Sequence, residues 1–100
     1  MKSISPKEFF QLLQTGADIQ LIDVREKVEH QEFNIGGILI PLSDITKQID
    51  LIEKEKPVVI YCRKGVRSQI AIQRLLQKFP FQNLINLEGG TEKWKEDVAS

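Results

Sequence analysis

One hundred residues make a chain long enough to bury roughly two thirds of its unfolded surface without disulfides or a structural metal, and residues 1–100 read as a single domain. Fourteen basic side chains balance fourteen acidic ones, so no net field draws the protein to nucleic acid or to an anionic membrane, and any preference for anions must be local. One cysteine and one histidine exclude both a tetrahedral metal site built from such ligands and an internal redox disulfide. No metal or cofactor is expected, and any resolving thiol must come from another molecule. Met1 to Pro6 lacks the apolar core of a signal peptide and the apolar runs are far below a membrane span, so a soluble, cytoplasmic protein is expected.

Strands alternate with helices along the chain. Ser5-Pro6-Lys7-Glu8 is a capping box with proline at the first helical position; Phe9, Phe10, Leu12 and Leu13 follow, and Gly16 ends the helix. Ile19 to Val24 reads as a short buried strand, and Glu26 to Phe33 as a polar helical stretch. Gly36-Gly37 breaks the chain, Ile38-Leu39-Ile40 is a brief strand and Pro41 stops it. Ser43 is expected to cap a helix through about Ile52, and Glu53 to Lys56 is a solvated turn. Pro57 to Tyr61 is a buried strand. Ser68 opens a helix whose apolar positions Ile72, Leu75, Leu76 and Phe79 recur at helical spacing, and Pro80 breaks it. Asn83 to Leu87 is a further strand, and Gly89-Gly90-Thr91 turns into a last helix carrying Trp94. Such alternation with short connections implies an α/β fold with a mainly parallel sheet of four to five short strands and helices on both faces.

Cys62 stands where the strand Pro57 to Tyr61 gives way to the cationic loop Arg63-Lys64-Gly65-Val66-Arg67. That is the carboxyl end of a strand and the amino end of a helix, the place where open α/β sheets put their ligand crevice. Partial charge from unpaired helix amides and full charge from three bases favour the anionic, reactive form of a thiol there. Without that loop, a lone cysteine at the end of a buried strand would read as an inert small hydrophobe. With it, a glycine able to take a positive φ and the surrounding bases form a nest of amides suited to an anion, and Cys62 reads as a nucleophile.

Four motifs in order resemble those of a single-domain rhodanese, or sulfurtransferase, over nearly the whole chain. They are Asp23-Val24-Arg25 at a strand end, Ile35-Gly36-Gly37 through Pro41, the loop Cys62 through Arg67, and Leu87-Glu88-Gly89-Gly90 followed by Trp94. Departures are Asn34 where many members carry histidine, a segment Asn34 to Pro41 about one residue shorter than usual, and Glu29 where two-domain thiosulfate-using relatives often have arginine. The last predicts a less cationic pocket. The loop itself resembles that of the thiosulfate-specific branch.

The resemblance implies a thiosulfate sulfurtransferase-like enzyme that passes a sulfane sulfur through a Cys62 persulfide. The donor would be thiosulfate or a persulfide, and the acceptor cyanide or a thiol, including that of a thiol protein. The residues suit this chemistry, because a soft electrophilic sulfur on a dianion calls for a soft nucleophile in a nest of positive charge. Amides from Arg63, Lys64, Gly65, Val66, Arg67 and Ser68 would hold the anionic and then the transferred sulfur, with Arg63, Lys64 and Arg67 attracting the donor. Asp23 and Arg25 read as a structural brace, Glu88 as a supporting residue, Trp94 as core, and His30 as having no partner and no catalytic role. Two rival classes remain: a non-catalytic rhodanese-like binding or regulatory module, and a cysteine phosphatase. The phosphatase spacing of cysteine, five residues and arginine falls here on Ser68.

Overall fold

Period-two alternation along one central strand sets the layout. The computed structural model describes residues 1–99. Its strands are β1 Ser3–Ile4, β2 Gln20–Asp23, β3 Ile38–Leu39, β4 Val58–Tyr61 and β5 Leu84–Leu87, and its helices are α1 Pro6–Gln14, α2 Lys27–Glu32, α3 Val66–Lys78 and α4 Gly90–Asp97. The strands form one sheet in the order β1-β5-β4-β2-β3, with every pairing parallel. All four residues of β4 are buried. Successive side chains of a strand point to opposite faces, so Val58 and Ile60 pack with Ala71, Ile72 and Leu75 of α3, whereas Val59 and Tyr61 pack with Phe9 and Trp94. Cys62 belongs to the same cluster as Val58 and Ile60. The phase of β4 thus delivers the cysteine to the α3 side of the sheet.

Helices cover both faces, as expected. On the far side of the sheet from α3, Phe9 and Phe10 of α1 meet Trp94 of α4 at ring-centroid distances of 6.0 and 6.1 Å. The α1 capping box forms: Ser5 Oγ accepts from the Glu8 amide and Glu8 Oε1 accepts from the Ser5 amide, at 3.2 and 3.1 Å. Among the described residues no helix is long and apolar enough to cross a membrane.

Three local expectations are corrected. The helix expected from Ser43 to Ile52 is instead a pair of 3-10 turns, Leu42–Asp44 and Ile49–Leu51, closed mainly by bonds to the third residue back. Ser43, Asp44, Thr46 and Asp50 favour local side-chain to backbone bonds over a regular helix. The longer rise of 3-10 backbone still lets Ile45 and Ile52 reach the α3-side core. In α3 the buried stripe is Ser68, Ala71, Ile72 and Leu75, while Leu76 and Phe79 lie at the surface. The helix begins two residues before Ser68, so the serine is an inward-facing member rather than an opening cap. Finally, β1 is an unanticipated edge strand, set by its register of Ser3 on Asn86 and Ile4 on Leu87.

Helix α4 docks end-on against the chain leaving β4, and Gly90 makes the approach possible. It has φ +58°, and a Cβ there would lie 2.3 Å from the Cys62 carbonyl oxygen and 2.6 Å from the Arg63 carbonyl carbon. Gly16 also has positive φ, +75°, but open space around it. Gly90→Ala should therefore destabilise the protein by roughly 3 kcal/mol or more in urea unfolding, against about 1 kcal/mol for Gly16→Ala. Equal losses would show that the close approach carries no weight.

Candidate active site

The loop after β4 folds around the sulfur of Cys62. Sγ accepts from the backbone N–H of Gly65 at 3.1 Å and of Ser68 at 3.4 Å, with Ser68 Oγ at 3.5 Å. Gly65 takes φ +98° as the residue before α3, which turns its amide inward. The loop carbonyls face the other way, where the Thr91 amide donates to Cys62 O at 2.9 Å and the Glu92 amide to Arg63 O at 3.0 Å. One helix amino terminus therefore fixes the loop while the other is aimed at the sulfur. The first turn of a 13-residue helix presents roughly half a unit of positive charge, so negative charge on Sγ is stabilised there.

Beneath the sulfur, Ser68 Oγ donates to Asn86 Oδ1. Both residues are buried. Asn86 reaches this place because it shares the α3-facing phase of β5 with Leu84. A polar residue on the buried phase of a strand was the signal that sequence reasoning passed over.

Cys62 is 1% exposed and floors a shallow cleft of about 230 Å³ lined by Arg63, Lys64, Val66 and Arg67. The three bases fare differently. Arg63 Nε donates to Glu92 Oε2 at 3.0 Å in an exposed pair. Lys64 is exposed and makes no ion pair among the described residues. Arg67 is gripped by both oxygens of Glu29, Nη1 to Oε1 at 2.7 Å and Nη2 to Oε2 at 2.8 Å. Glu29 Oε1 also accepts from the Glu26 amide at 3.0 Å, completing a capping box at the start of α2.

The Arg67 hydrogen bonds, aided by the Glu26 amide, bring the Glu29 carboxyl down to about 2 against the opposing effect of burial. Arg67 is pushed up chiefly by Glu29, with a smaller contribution from Cys62. A carboxyl depressed on folding stabilises fully above its unfolded value and loses that contribution as pH falls through the folded one. The clamp is therefore intact at neutral pH and lost between 4.5 and about 2.

Asp23 and Arg25 form a buried brace beside the loop. Asp23 Oδ1 accepts from the Arg25 amide at 2.9 Å and from Nε at 3.0 Å, Oδ2 accepts from Nη2 at 2.8 Å, and Nη2 also donates to Phe33 O at 2.6 Å. Burial opposes the Arg25 charge, but Asp23 outweighs it and holds the guanidinium above its ordinary pKa. His30, expected to lack a partner, has one: its Nδ1 lies 2.8 Å from Asp23 Oδ2. The contact runs from α2 back to the end of β2, and no local period announces it. Tyr61, pushed up to about 12 by burial and by Asp23, donates to Gly36 O at 2.9 Å and accepts from the Ile35 amide. Asn34 bridges the same turn, donating to His30 O and accepting from the Gly36 amide.

Glu88 sits elsewhere, exposed and accepting from Ser3 Oγ at 3.0 Å. The structure thus gathers Cys62, Gly65 and Ser68 at the sulfur, sets Arg63, Lys64, Val66 and Arg67 around the rim, and leaves Glu88 at the β1 edge. Thr91, Glu92 and Asn86 are the contributors that sequence reasoning missed. Among the described residues no cluster of three or more His, Cys, Asp or Glu side chains is gathered that could hold a metal.

Comparison with known proteins identifies the family and the fold. The model of the rhodanese-like domain matches residues 5–97. The thiosulfate sulfurtransferase GlpE of Coxiella burnetii is 34% identical over 95 residues, covering 94% of this chain and 87% of the relative. The adenylyltransferase and sulfurtransferase MOCS3-1 of Drosophila pseudoobscura pseudoobscura is 35% identical over 92% of this chain, but the chain spans only 22% of that longer protein. Among solved structures, a rhodanese-like domain protein from Staphylococcus aureus superposes with a TM-score of 0.85 at 28% identity, over 98% of this chain and 95% of the other. In sequence and fold the chain belongs to the rhodanese-like family.

Proposed function

We propose that this chain is a sulfurtransferase that carries a sulfane sulfur as a Cys62 persulfide, from thiosulfate or a persulfide donor to cyanide or a thiol, the thiol of a protein included. The observation that supports this reading most directly is the pair of amides, from Gly65 and Ser68, directed at Sγ. The Cys62 thiolate attacks the outer sulfur of thiosulfate, forming the S–S bond of the persulfide while sulfite leaves with the electron pair. An acceptor thiolate or cyanide then attacks the outer persulfide sulfur, and the Cys62 thiolate departs. In both steps negative charge resides on sulfur at the floor of the cleft, where the amides and the α3 terminus stabilise it without reorganising.

Ser68, with its hydroxyl tied to Asn86, fixes the far side of the sulfur. Asp23, Arg25 and His30 hold one another and the 33–36 turn, a pattern of positioning rather than proton transfer. A phosphatase reading is disfavoured because the only loop arginine near the required spacing is already gripped by a carboxylate. We assign the protein to the cytoplasm, acting without metal, cofactor, nucleic acid or membrane.

Incubation with thiosulfate should raise the intact mass by one sulfur atom, and cyanide should remove it with release of thiocyanate. No gain in wild type would leave a non-catalytic module, and an equal gain in Cys62→Ser would rule out this nucleophile.

The rim cations should contribute unequally. Lys64 has no carboxylate partner among the described residues, so Lys64→Ala should lower kcat/KM for thiosulfate by roughly tenfold, the scale of one charge-assisted contact. Arg63 is shared with Glu92, so Arg63→Ala should cost clearly less. The reverse order would mean that the ion pairs of the free protein do not predict which charge meets the donor.

A further inference from the structure

The rim of the cleft has three cations, and two of them face carboxylates: Arg63 faces Glu92 and Arg67 faces Glu29. Among the described residues only Lys64 of the three has no carboxylate partner. The two pairs are not equivalent. Arg63 and Glu92 are exposed, at 63% and 44% of their side chains, and joined through Nε alone. Arg67 and Glu29 are mostly covered, bidentate, and anchored by the further bond from Glu29 to the Glu26 amide. Solvent and an incoming ion can open the first pair at little cost, whereas the second is held by geometry.

We propose that Glu29 determines donor specificity at this site: by clamping Arg67 it denies that guanidinium to an oxyanion and tilts the cleft from thiosulfate toward organic persulfides of single or no charge. The proposal rests on the sulfurtransferase reading and adds the donor class. A dianion brought to this rim meets one free cation and the nearby Glu29 carboxylate. An alkyl persulfide brings less charge, and its carbon arm finds the exposed Val66 side chain at the cleft wall.

The chemistry balances for either donor. With R–S–S–H, the Cys62 thiolate attacks the outer sulfur, the inner S–S bond breaks, and the thiolate R–S⁻ leaves with the electron pair, so Cys62 carries S–S–H. With thiosulfate the same attack expels sulfite dianion, which leaves the cleft with the electron pair. The carboxylate opposes entry of the dianionic donor and, by the same repulsion, speeds departure of its product; departure follows the transfer, so the effect on kcat/KM falls on capture of the dianion.

The test compares Glu29→Gln with wild type, using thiosulfate and the persulfide of β-mercaptoethanol as donors and cyanide as acceptor. Glutamine keeps the size and the acceptor for the Glu26 amide but gives up the charge. The substitution should raise kcat/KM for thiosulfate on the order of tenfold, as expected for one released charge contact, and leave the persulfide value within about twofold. The thiosulfate rate should also become more steeply dependent on sodium chloride in the variant than in wild type, a readout that a purely structural effect would not move. Adding Arg67→Gln to Glu29→Gln should abolish the thiosulfate gain.

Unchanged donor preference in a folded Glu29→Gln protein that still loads Cys62 overturns the assignment of Glu29 and spares the sulfurtransferase reading. Failure of both donors to load wild type overturns both. Should the variant not fold, wild type still decides: a thiosulfate kcat/KM exceeding that of the persulfide and falling steeply with salt overturns the proposal, and the opposite pattern supports it.

Discussion

Two hydrogen bonds on the side of the loop away from the sulfur govern the site. The amides of Thr91 and Glu92 capture the carbonyls of Cys62 and Arg63, which fixes the planes of the peptides joining Cys62 to Arg63 and Arg63 to Lys64. This constraint anchors the start of the short loop, from which the Gly65 and Ser68 amides reach Sγ. It also explains why residues far apart in the chain belong to one functional unit. Gly90 at the start of α4 permits the approach, α4 supplies the capturing amides, and Trp94 ties that helix to α1 through Phe9 and Phe10.

Much of this was legible in the sequence because it is local or periodic. The capping box at Ser5, the buried run before Cys62, the glycines at positions 36, 37, 65, 89 and 90, and the parallel α/β architecture all rest on short-range chemistry. Cys62 itself was legible from the abrupt change of an apolar strand into a cationic loop. The edge strand Ser3–Ile4 was not, since two residues carry no period and become a strand only by pairing with β5. The segment from Leu42 to Ile52 failed for the opposite reason: its apolar residues keep a helical spacing, yet its Ser, Asp and Thr residues oppose a regular helix. Spacing then selects which residues are buried without selecting the hydrogen-bond pattern.

The polar contacts were hardest to read. Arg67 and Glu29 are 38 residues apart, and nothing in either local stretch says that the two side chains meet. The sequence shows a loop with three cations; the fold shows a loop in which most of that charge is spoken for. Compensation of this kind follows from elementary electrostatics, because three like charges crowded at a helix amino terminus repel one another and the terminus itself. A carboxylate nearby relieves that repulsion and fixes one long side chain. It also lowers the attraction for an anionic substrate, so the stability of the rim and its affinity for dianions oppose each other.

The same opposition explains the division between sulfur and rim. At the sulfur the positive character comes from backbone amides, which cannot be neutralised by a neighbouring carboxylate and cannot swing away. Their partners are already fixed: α3 is held by Ala71, Ile72 and Leu75 in the core, and Ser68 is held by Asn86. At the rim the charge comes from side chains, whose effect depends on what they pair with. Stabilising an anion on Cys62 is thus built into the backbone and is insensitive to rim substitutions, whereas recognition of what delivers the sulfur rests on a few exchangeable ion pairs. A fold arranged this way can change donors by altering one carboxylate without disturbing the geometry around the reacting atom.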